Sequence, residues 1–405
     1  MISVEEAGKI IFNHILLQNT EGIALQKTVG RVLAEDLVAD RDFPPFDRVT
    51  MDGIAINFDS FNTGQRIFDV ENTQAAGAPA LILSDKKNCI EVMTGAMLPE
   101  GCDTVIRYED LKIEDKKAEI VIQNIDYQQN THKKGSDRKQ GETLVSAYNG
   151  KILRGLKITA AEISTAATIG KTTLQVVKKP TVAVISTGDE LVDIPDTPLP
   201  YQIRRSNVYA IAALLENAFK IEAKLFHFVD DKALIVKGLE TILNDFDVVI
   251  LSGAVSEGKF DFVPNALKDL GVEKLFHKVS QRPGKPFWFG KLDKKAVVFA
   301  LPGNPVSTFM CACRYVLPFI EKSLGLEPVR TSGVLLEDVI FKPDLTYFVP
   351  VKIISYHHAP IVKALTGNGS GDLANLNEAD GFLELPRDKT EFKAGEYYPL
   401  IRYRF

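Results

Sequence analysis

Three segments of the 405-residue chain repeat one pattern: a run of apolar, largely β-branched residues reaches a short glycine-containing loop. They are Thr181-Val-Ala-Val-Ile-Ser-Thr-Gly-Asp-Glu190, Asp247-Val-Val-Ile-Leu-Ser-Gly-Ala-Val-Ser-Glu-Gly258 and Ala296-Val-Val-Phe-Ala-Leu-Pro-Gly-Asn-Pro305. Apolar runs without polar alternation suit strands covered on both faces, as in a parallel sheet. In such a sheet the loops leaving the carboxyl ends of the strands line one edge, so these three loops are expected to share a crevice.

The surrounding pattern fits that sheet. Ser206 is placed to cap a helix carrying Ile211, Leu214, Leu215 and Ala218, and Ile221 to Phe228 reads as the next strand. A second helix over about 232–243 precedes the strand Val248 to Leu251, and this alternation predicts right-handed βαβ crossovers and a doubly wound parallel sheet over 177–328. Pro305 suits the first turn of a further helix, Pro318 should kink it, and Gly325 should end it.

On either side the signals differ. Ser3 and Glu6 have capping-box spacing ahead of a helix over about 4–18, with His14 on its apolar stripe as a core histidine. Residues 43–138 carry short strand-like runs at Cys89–Met93, Thr104–Tyr108 and Ala118–Ile122, a β-rich module that ends in the polar loop Asn130–Gly141. Thr159 and Glu162 repeat the capping-box spacing, with Gly170 as a helix C-cap. Strand patterns return after Val329, at Tyr347–Ile354 and Ile361–Ala364, and lead to Asn368-Gly-Ser-Gly371. The expected class is α/β plus β: a doubly wound domain, a β-rich module, a helix-containing extended domain and a small C-terminal β domain.

Bulk properties exclude several functions. Hydrophobic residues at 45% and charged residues at 25% describe a globular chain with several cores. Forty-eight cations against 53 anions leave −5, so neither nucleic acid nor anionic lipid is an expected partner, and an anionic ligand must be held by local groups. The four cysteines make no disulfide framework, and no export signal or membrane span is present, so a cytoplasmic protein is expected. There is no G-x-x-x-x-G-K-[ST], nucleophile elbow, dinucleotide fingerprint or Cys/His ligand set; adjacent His357 and His358 would face opposite sides of a strand.

Exposed backbone N–H groups at glycine loops favour phosphate or another oxyanion, which makes Ser252, Gly253, Ser256 and Gly258 candidates. Arg282-Pro-Gly-Lys-Pro286 sets two cations on a stiff turn, with Lys285 the stronger oxyanion candidate. Asp189, Glu190 and Asp261 follow buried strands, where a hard cation such as Mg²⁺ could share them with substrate phosphates. Each feature has a plainer reading: a tight turn without ligand, a solvated lysine, carboxylates facing water. The same holds for the turn at Asp47, Asp52 and Gly53 and for Thr94–Gly101.

Six ordered stretches lift these alternatives together. Pro45-Phe-Asp-Arg-Val-Thr-Met-Asp-Gly53, Thr94-Gly-Ala-Met-Leu-Pro-Glu-Gly101, Ser186-Thr-Gly-Asp-Glu-Leu191, Ser252-Gly-Ala-Val-Ser-Glu-Gly258, Pro283-Gly-Lys-Pro286 and Leu301-Pro-Gly-Asn-Pro-Val-Ser307 resemble the signatures of the MoeA family, molybdopterin molybdenumtransferases related to the gephyrin E domain. The resemblance spans the chain. It implies four domains, 1–42 with 139–176, 43–138, 177–328 and 329–405, in a homodimer whose cleft is built from both subunits. It implies insertion of molybdenum from molybdate into adenylylated molybdopterin, with AMP released and Mg²⁺ required.

Carried over by position, Glu190, Asp261, Lys285, Asp52 and Thr94 match catalytic residues, and Asp189, Glu190 and Asp261 match metal ligands. Thr187, Gly188, Ser252, Gly253, Ser256, Gly258, Arg282, Pro302, Gly303, Asn304, Pro305, Asp137 and Ser370 match substrate-binding positions. The chain departs from the pattern at Ala254, where glycine is usual, at Arg282, where lysine is usual, and at Asp344-Leu345, where Gly-Arg is common. A binding scaffold without catalysis, and the preceding adenylylation step, are the rival functions. The intact charged motifs weigh against the first and the additional β modules against the second.

Overall fold

The computed structural model describes residues 1–147, 155–253, 262–293, 295–356, 359–367 and 369–404, which fall into two compact units. The first comprises Met1–Ala34, Tyr148–Thr159 and Thr173–Phe405, and the second Glu35–Ala147 and Ala160–Thr172.

The first unit is built on a six-stranded sheet in the spatial order Lys224–Phe228, Val182–Thr187, Val248–Ser252, Ala296–Leu301, Trp288–Leu292, Glu273–His277. The first four are parallel, and alternate residues along them divide between two cores. Val182, Val184, Val248, Ile250, Val297 and Phe299 pack with Val208, Ile211 and Leu215 of the helix Asn207–Phe219. Ala183, Ile185, Val249, Leu251 and Val298 pack with Ile235, Leu239, Val263 and Ala266 of the helices Lys232–Asp245 and Val263–Asp269. Burial on both faces explains the unbroken apolar runs.

The sheet is mixed rather than wholly parallel. Trp288–Leu292 runs antiparallel to both neighbours, because residues 293–295 between it and Ala296–Leu301 are too few for a crossover helix. The strand expected from Ile221 begins at Lys224, and the helix that follows Pro305 does not simply kink at Pro318. Ahead of that proline the chain widens into a π-helical segment, Ala312–Val316, and α-helix resumes over Leu317–Ser323. Proline offers no N–H to the carbonyl four residues back and its ring crowds it, a conflict the wider turn relieves.

The N-terminal helix ends at Phe12, short of the expected residue 18. Its capping box is formed on both sides, with Ser3 N–H on Glu6 Oε2 at 2.8 Å and Glu6 N–H on Ser3 Oγ at 3.1 Å. Asn13, a weak helix former, closes it, and Leu16 N–H then turns to Ser323 Oγ at 3.2 Å. His14 sits among apolar neighbours, its ring 6.5 Å from that of Phe289 and its Nδ1 2.8 Å from Ile10 O. The C-terminal strands Thr346–Tyr356, Pro360–Ala364, Thr331–Leu335, Tyr397–Arg402 and Gly381–Leu385 pair in a closed circuit, a small barrel around Val351, Val362, Leu383 and Phe392.

The second unit holds a six-stranded sheet ordered Thr104–Arg107, Gly53–Ile56, Asn88–Val92, Ile67–Gln74, Lys117–Ile120, Leu111–Glu114, together with the helix Ala160–Thr168. Ile54 and Ile106 belong to one apolar cluster and Ala55, Ile90 and Val105 to another, so the central strand is covered on both sides. All four cysteines are free and buried, and burial pushes Cys89 and Cys102 up to about 12.

Gly53 lies where the backbone of Ile106 comes closest: a Cβ there would fall 1.8 Å from Ile106 O. Gly53→Ala is therefore expected to destabilise this unit by about 2–4 kcal/mol, measured by urea unfolding. A loss below about 0.5 kcal/mol would contradict the close packing.

Candidate active site

The loop after Val182–Thr187 turns at Gly188 (φ +130°), whose N–H donates to Phe228 O at 3.1 Å. A Cβ on Gly188 would meet Glu190 Oε2 at 2.4 Å, so the Glu190 carboxylate is folded back over the bare glycine. That carboxylate accepts no hydrogen bond from any described residue. Asp189, an exposed residue, accepts from Asp230 N–H through Oδ1 at 3.1 Å, and its other oxygen accepts from no described residue.

The other two loops meet this one. Gly253 (φ +95°) donates its N–H to Leu301 O at 3.0 Å, and a Cβ on it would sit 4.0 Å from Thr187 Oγ1. A Cβ on Gly303 would lie 3.7 Å from Gly253 Cα. The three strand ends therefore share one sheet edge, as expected from their pattern. This edge lies where the chain leaves Val182–Thr187 first for one neighbour and later for the other, the switch point at which open α/β sheets bind ligands. Ser256, Gly258 and Asp261 lie outside the described residues, as do Ala254, His357 and His358.

Asn207, which periodicity did not separate from an ordinary helix start, ties the loops together. Its Nδ2 donates to Ser252 Oγ at 2.9 Å and Gly303 O at 2.7 Å, with Thr308 Oγ1 at 3.3 Å. The expected cap, Ser206, makes no side-chain capping bond and is itself in the helical region. Pro302 O accepts from the Thr308 hydroxyl, which also reaches Asn304 O at 3.1 Å. Pro305 opens the next helix, and Asn304, at its N-cap, does not cap it. Asn304 Nδ2 instead donates to Ser370 Oγ at 2.7 Å, while Ser370 O accepts from Val306 N–H at 3.1 Å. Two residues singled out separately are thus direct partners. The segment after Glu190 is pinned by Asp193, whose carboxylate accepts from Arg205 at 2.9 Å and Tyr209 at 2.8 Å and is held well below the usual range by the Arg205 bond first.

The Pro-Gly-Lys-Pro turn reaches the same edge, because the strand that follows it begins with Trp288 opposite Ala300, just before Pro302. Lys285 is exposed, and its ammonium meets no described residue. Arg282 leaves in another direction: its backbone pairs with Tyr347 and its guanidinium lies 6.0 Å from the centre of the Phe341 ring. At the departure Asp344-Leu345, Asp344 holds Arg387 through two bonds of 2.9 and 2.6 Å.

Asp52, Thr94 and Asp137 belong to the second unit. Thr94 N–H donates to Asp52 Oδ1 at 2.6 Å, and this bond, with one from the Thr94 hydroxyl, holds the Asp52 carboxyl below its ordinary value. Asp137 Oδ1 is 2.8 Å from His132 Nε2, and His132 Nδ1 is 3.2 Å from Arg48 Nη2. Since guanidinium can only donate, Nδ1 is the acceptor in this arrangement and Nε2 the donor to Asp137. Asp47 accepts from Lys133 at 3.0 Å and Lys134 N–H at 2.8 Å. Burial raises its carboxyl, and these donors outweigh that and lower it.

Three family profiles match in order: "MoeA N-terminal region (domain I and II)" over residues 2–170, "Probable molybdopterin binding domain" over 183–322 and "MoeA C-terminal region (domain IV)" over 332–401. A curated molybdopterin molybdenumtransferase from Synechocystis is 39% identical across the whole of both chains. The chain belongs to the MoeA family. A Staphylococcus epidermidis relative of the same name is 32% identical over 99% of this chain and 95% of its own. Two solved structures of a molybdopterin biosynthesis MoeA protein from Pyrococcus horikoshii superpose with TM-scores of 0.85 and 0.80, at 27% and 28% identity. The first covers 100% of both chains, and the second covers 99% of this chain and 100% of its own. The multidomain MoeA architecture, with its C-terminal β domain, is therefore the fold of this chain.

The divalent ion implied by the sequence resemblance can be tested against these residues. Among the described residues no group of three His, Cys, Asp or Glu side chains could hold a metal. Magnesium, however, usually takes only one or two carboxylates and completes its shell with water and substrate phosphate. The second oxygen of Asp189 and the carboxylate of Glu190, neither bonded to a described residue, fit that requirement.

Two outcomes follow. Asn207→Asp, which sets an oxygen against Gly303 O, should cost about 1–3 kcal/mol in denaturant unfolding, and no change would contradict the bridging role. The Asp52 carboxyl, followed by NMR, should titrate below an ordinary aspartate, and Thr94→Ala should bring it part of the way back. Because the folded value is depressed, its stabilisation is complete above the unfolded value and is lost as pH falls through the folded one. An unshifted titration would contradict the bond.

Proposed function

We propose that the protein inserts molybdenum from molybdate into adenylylated molybdopterin and releases AMP, acting in molybdenum cofactor biosynthesis as a magnesium-dependent cytoplasmic homodimer. The observation that carries this reading is the meeting of Thr187, Gly253 and Gly303 at one edge, which the turn bearing the exposed Lys285 also reaches, that lysine having no partner among the described residues. Backbone donors and hydroxyls at such an edge are suited to the paired phosphates of an adenylylated substrate.

In this reading Ser252 and Ser256 bind one phosphate through their hydroxyls and Gly258 through its N–H, Gly253 keeps the loop bare for close approach while its own N–H stays on Leu301 O, and the 302–305 corner positions the substrate with Ser370. Lys285 neutralises charge gathering on the AMP phosphate as the anhydride breaks. Asp189 and Glu190, with Asp261, would hold magnesium, which would supply further neutralisation of phosphate charge. Asp52, Thr94 and Asp137 serve a cleft to which both subunits contribute. No protein side chain becomes covalently attached to substrate.

The test is AMP release from adenylylated molybdopterin and molybdate, with and without magnesium. Glu190→Gln and Lys285→Ala should each lower the rate by about 10²-fold or more with an unchanged Tm, since both side chains are exposed. Near-normal turnover in both variants would refute the assignment. ATP-dependent turnover of molybdopterin alone would favour the preceding step.

A further inference from the structure

We infer that Gln281 and Tyr315 are positioning residues for Lys285, acting through the peptide group that precedes it; this rests on the reading of Lys285 as an anion-binding residue. Both side chains are fully buried at 0% exposure, in a cluster of Phe287, Phe299, Met310, Val316 and Phe319. An amide in such surroundings is unfavourable unless every polar atom is partnered, and a methionine would fill the space without that demand.

The partners show what the amide does. Gln281 Oε1 accepts from the Tyr315 hydroxyl, and Nε2 donates to Gly284 O at 3.0 Å, with Cys311 Sγ at 3.4 Å. Tyr315 is itself fixed in the π-helical segment, its ring 4.8 Å from that of Phe287. Gly284 has φ +90°, and a Cβ on it would lie 2.6 Å from Cys311 Sγ and 2.8 Å from Gln281 Nε2, so the turn presses on this network with no room for a side chain. Lys285 O is held separately, by the N–H groups of Val279 and Phe287 at 3.0 and 2.9 Å.

A trans peptide points its carbonyl and the following N–H in opposite directions. Drawing Gly284 O inward therefore turns the Lys285 N–H outward, where no described residue takes it. The buried pair presents two donors to an anion, the Lys285 backbone N–H and its ammonium. Without the pair Gly284 O keeps only a 4.0 Å contact to the Cys311 thiol, so the orientation of the Gly284–Lys285 peptide is less strictly fixed and the two donors converge less well.

The experiment compares Gln281→Met, Tyr315→Phe and the double variant with wild type and Lys285→Ala, below the lowest Tm. It reads Tm, the Kd for pyrophosphate and kcat/KM for AMP release. Each single variant should lose stability by stranding a buried partner, whereas the double variant removes both ends of the Tyr315–Gln281 bond, leaves only Gly284 O without its donor, and should regain part of the Tm lost in Gln281→Met. Its pyrophosphate affinity and kcat/KM should nevertheless stay about tenfold or more below wild type. A merely structural role predicts that binding and turnover return with stability, and a double variant with wild-type affinity beside a weakened Lys285→Ala would overturn this inference alone. Unchanged affinity in Lys285→Ala would overturn the reading of Lys285 and the inference with it.

Discussion

The candidate site depends on how closely the backbone of one strand-end loop approaches the next. Gly253 lies against both Thr187 and Gly303, within the distance of a single side-chain carbon. At that spacing the loops cannot be screened from one another by their own side chains, so the Thr187 hydroxyl lies against the bare Gly253 backbone, whose N–H is given to Leu301 O. Asn207 keeps the spacing, because one amide nitrogen draws on acceptors from two of the loops at once. Bonds of this kind hold a polar edge together without covering it, which an apolar contact would do.

Behind that edge the sheet supplies rigidity. Alternate residues of the four parallel strands enter two separate cores, so each strand is clamped from both faces and its end has little freedom. The Pro-Gly-Lys-Pro turn is fixed differently, between a buried amide on one side and the backbone of the C-terminal barrel on the other. A cation on a long flexible side chain thus projects from a backbone that does not move with it.

Much of this was legible in the sequence, and for a definite reason. Strands buried on both faces must be apolar at every position, so Val182–Thr187, Val248–Ser252 and Ala296–Leu301 stand out without any knowledge of their neighbours. Glycine-bearing loops at their ends then locate the edge. The antiparallel Trp288–Leu292 was not legible, because a strand's direction is set by the length of the connection beyond it. Nor were Asn207, Gln281 and Tyr315, whose roles rest on partners distant in the chain, and whose residue types are ordinary at a helix start, in a strand and in a core. The short first helix shows the converse: apolar spacing continued past Phe12, while Asn13 and a contact to Ser323 redirected the chain.

The account is tested most directly by a crystal structure of the protein soaked with molybdate, AMP and magnesium. It predicts the AMP phosphate against Thr187, Gly253 and Gly303, with Lys285 within hydrogen-bonding distance and the ion on Asp189 and Glu190. An AMP bound elsewhere, or a phosphate that leaves this edge to solvent, would contradict it.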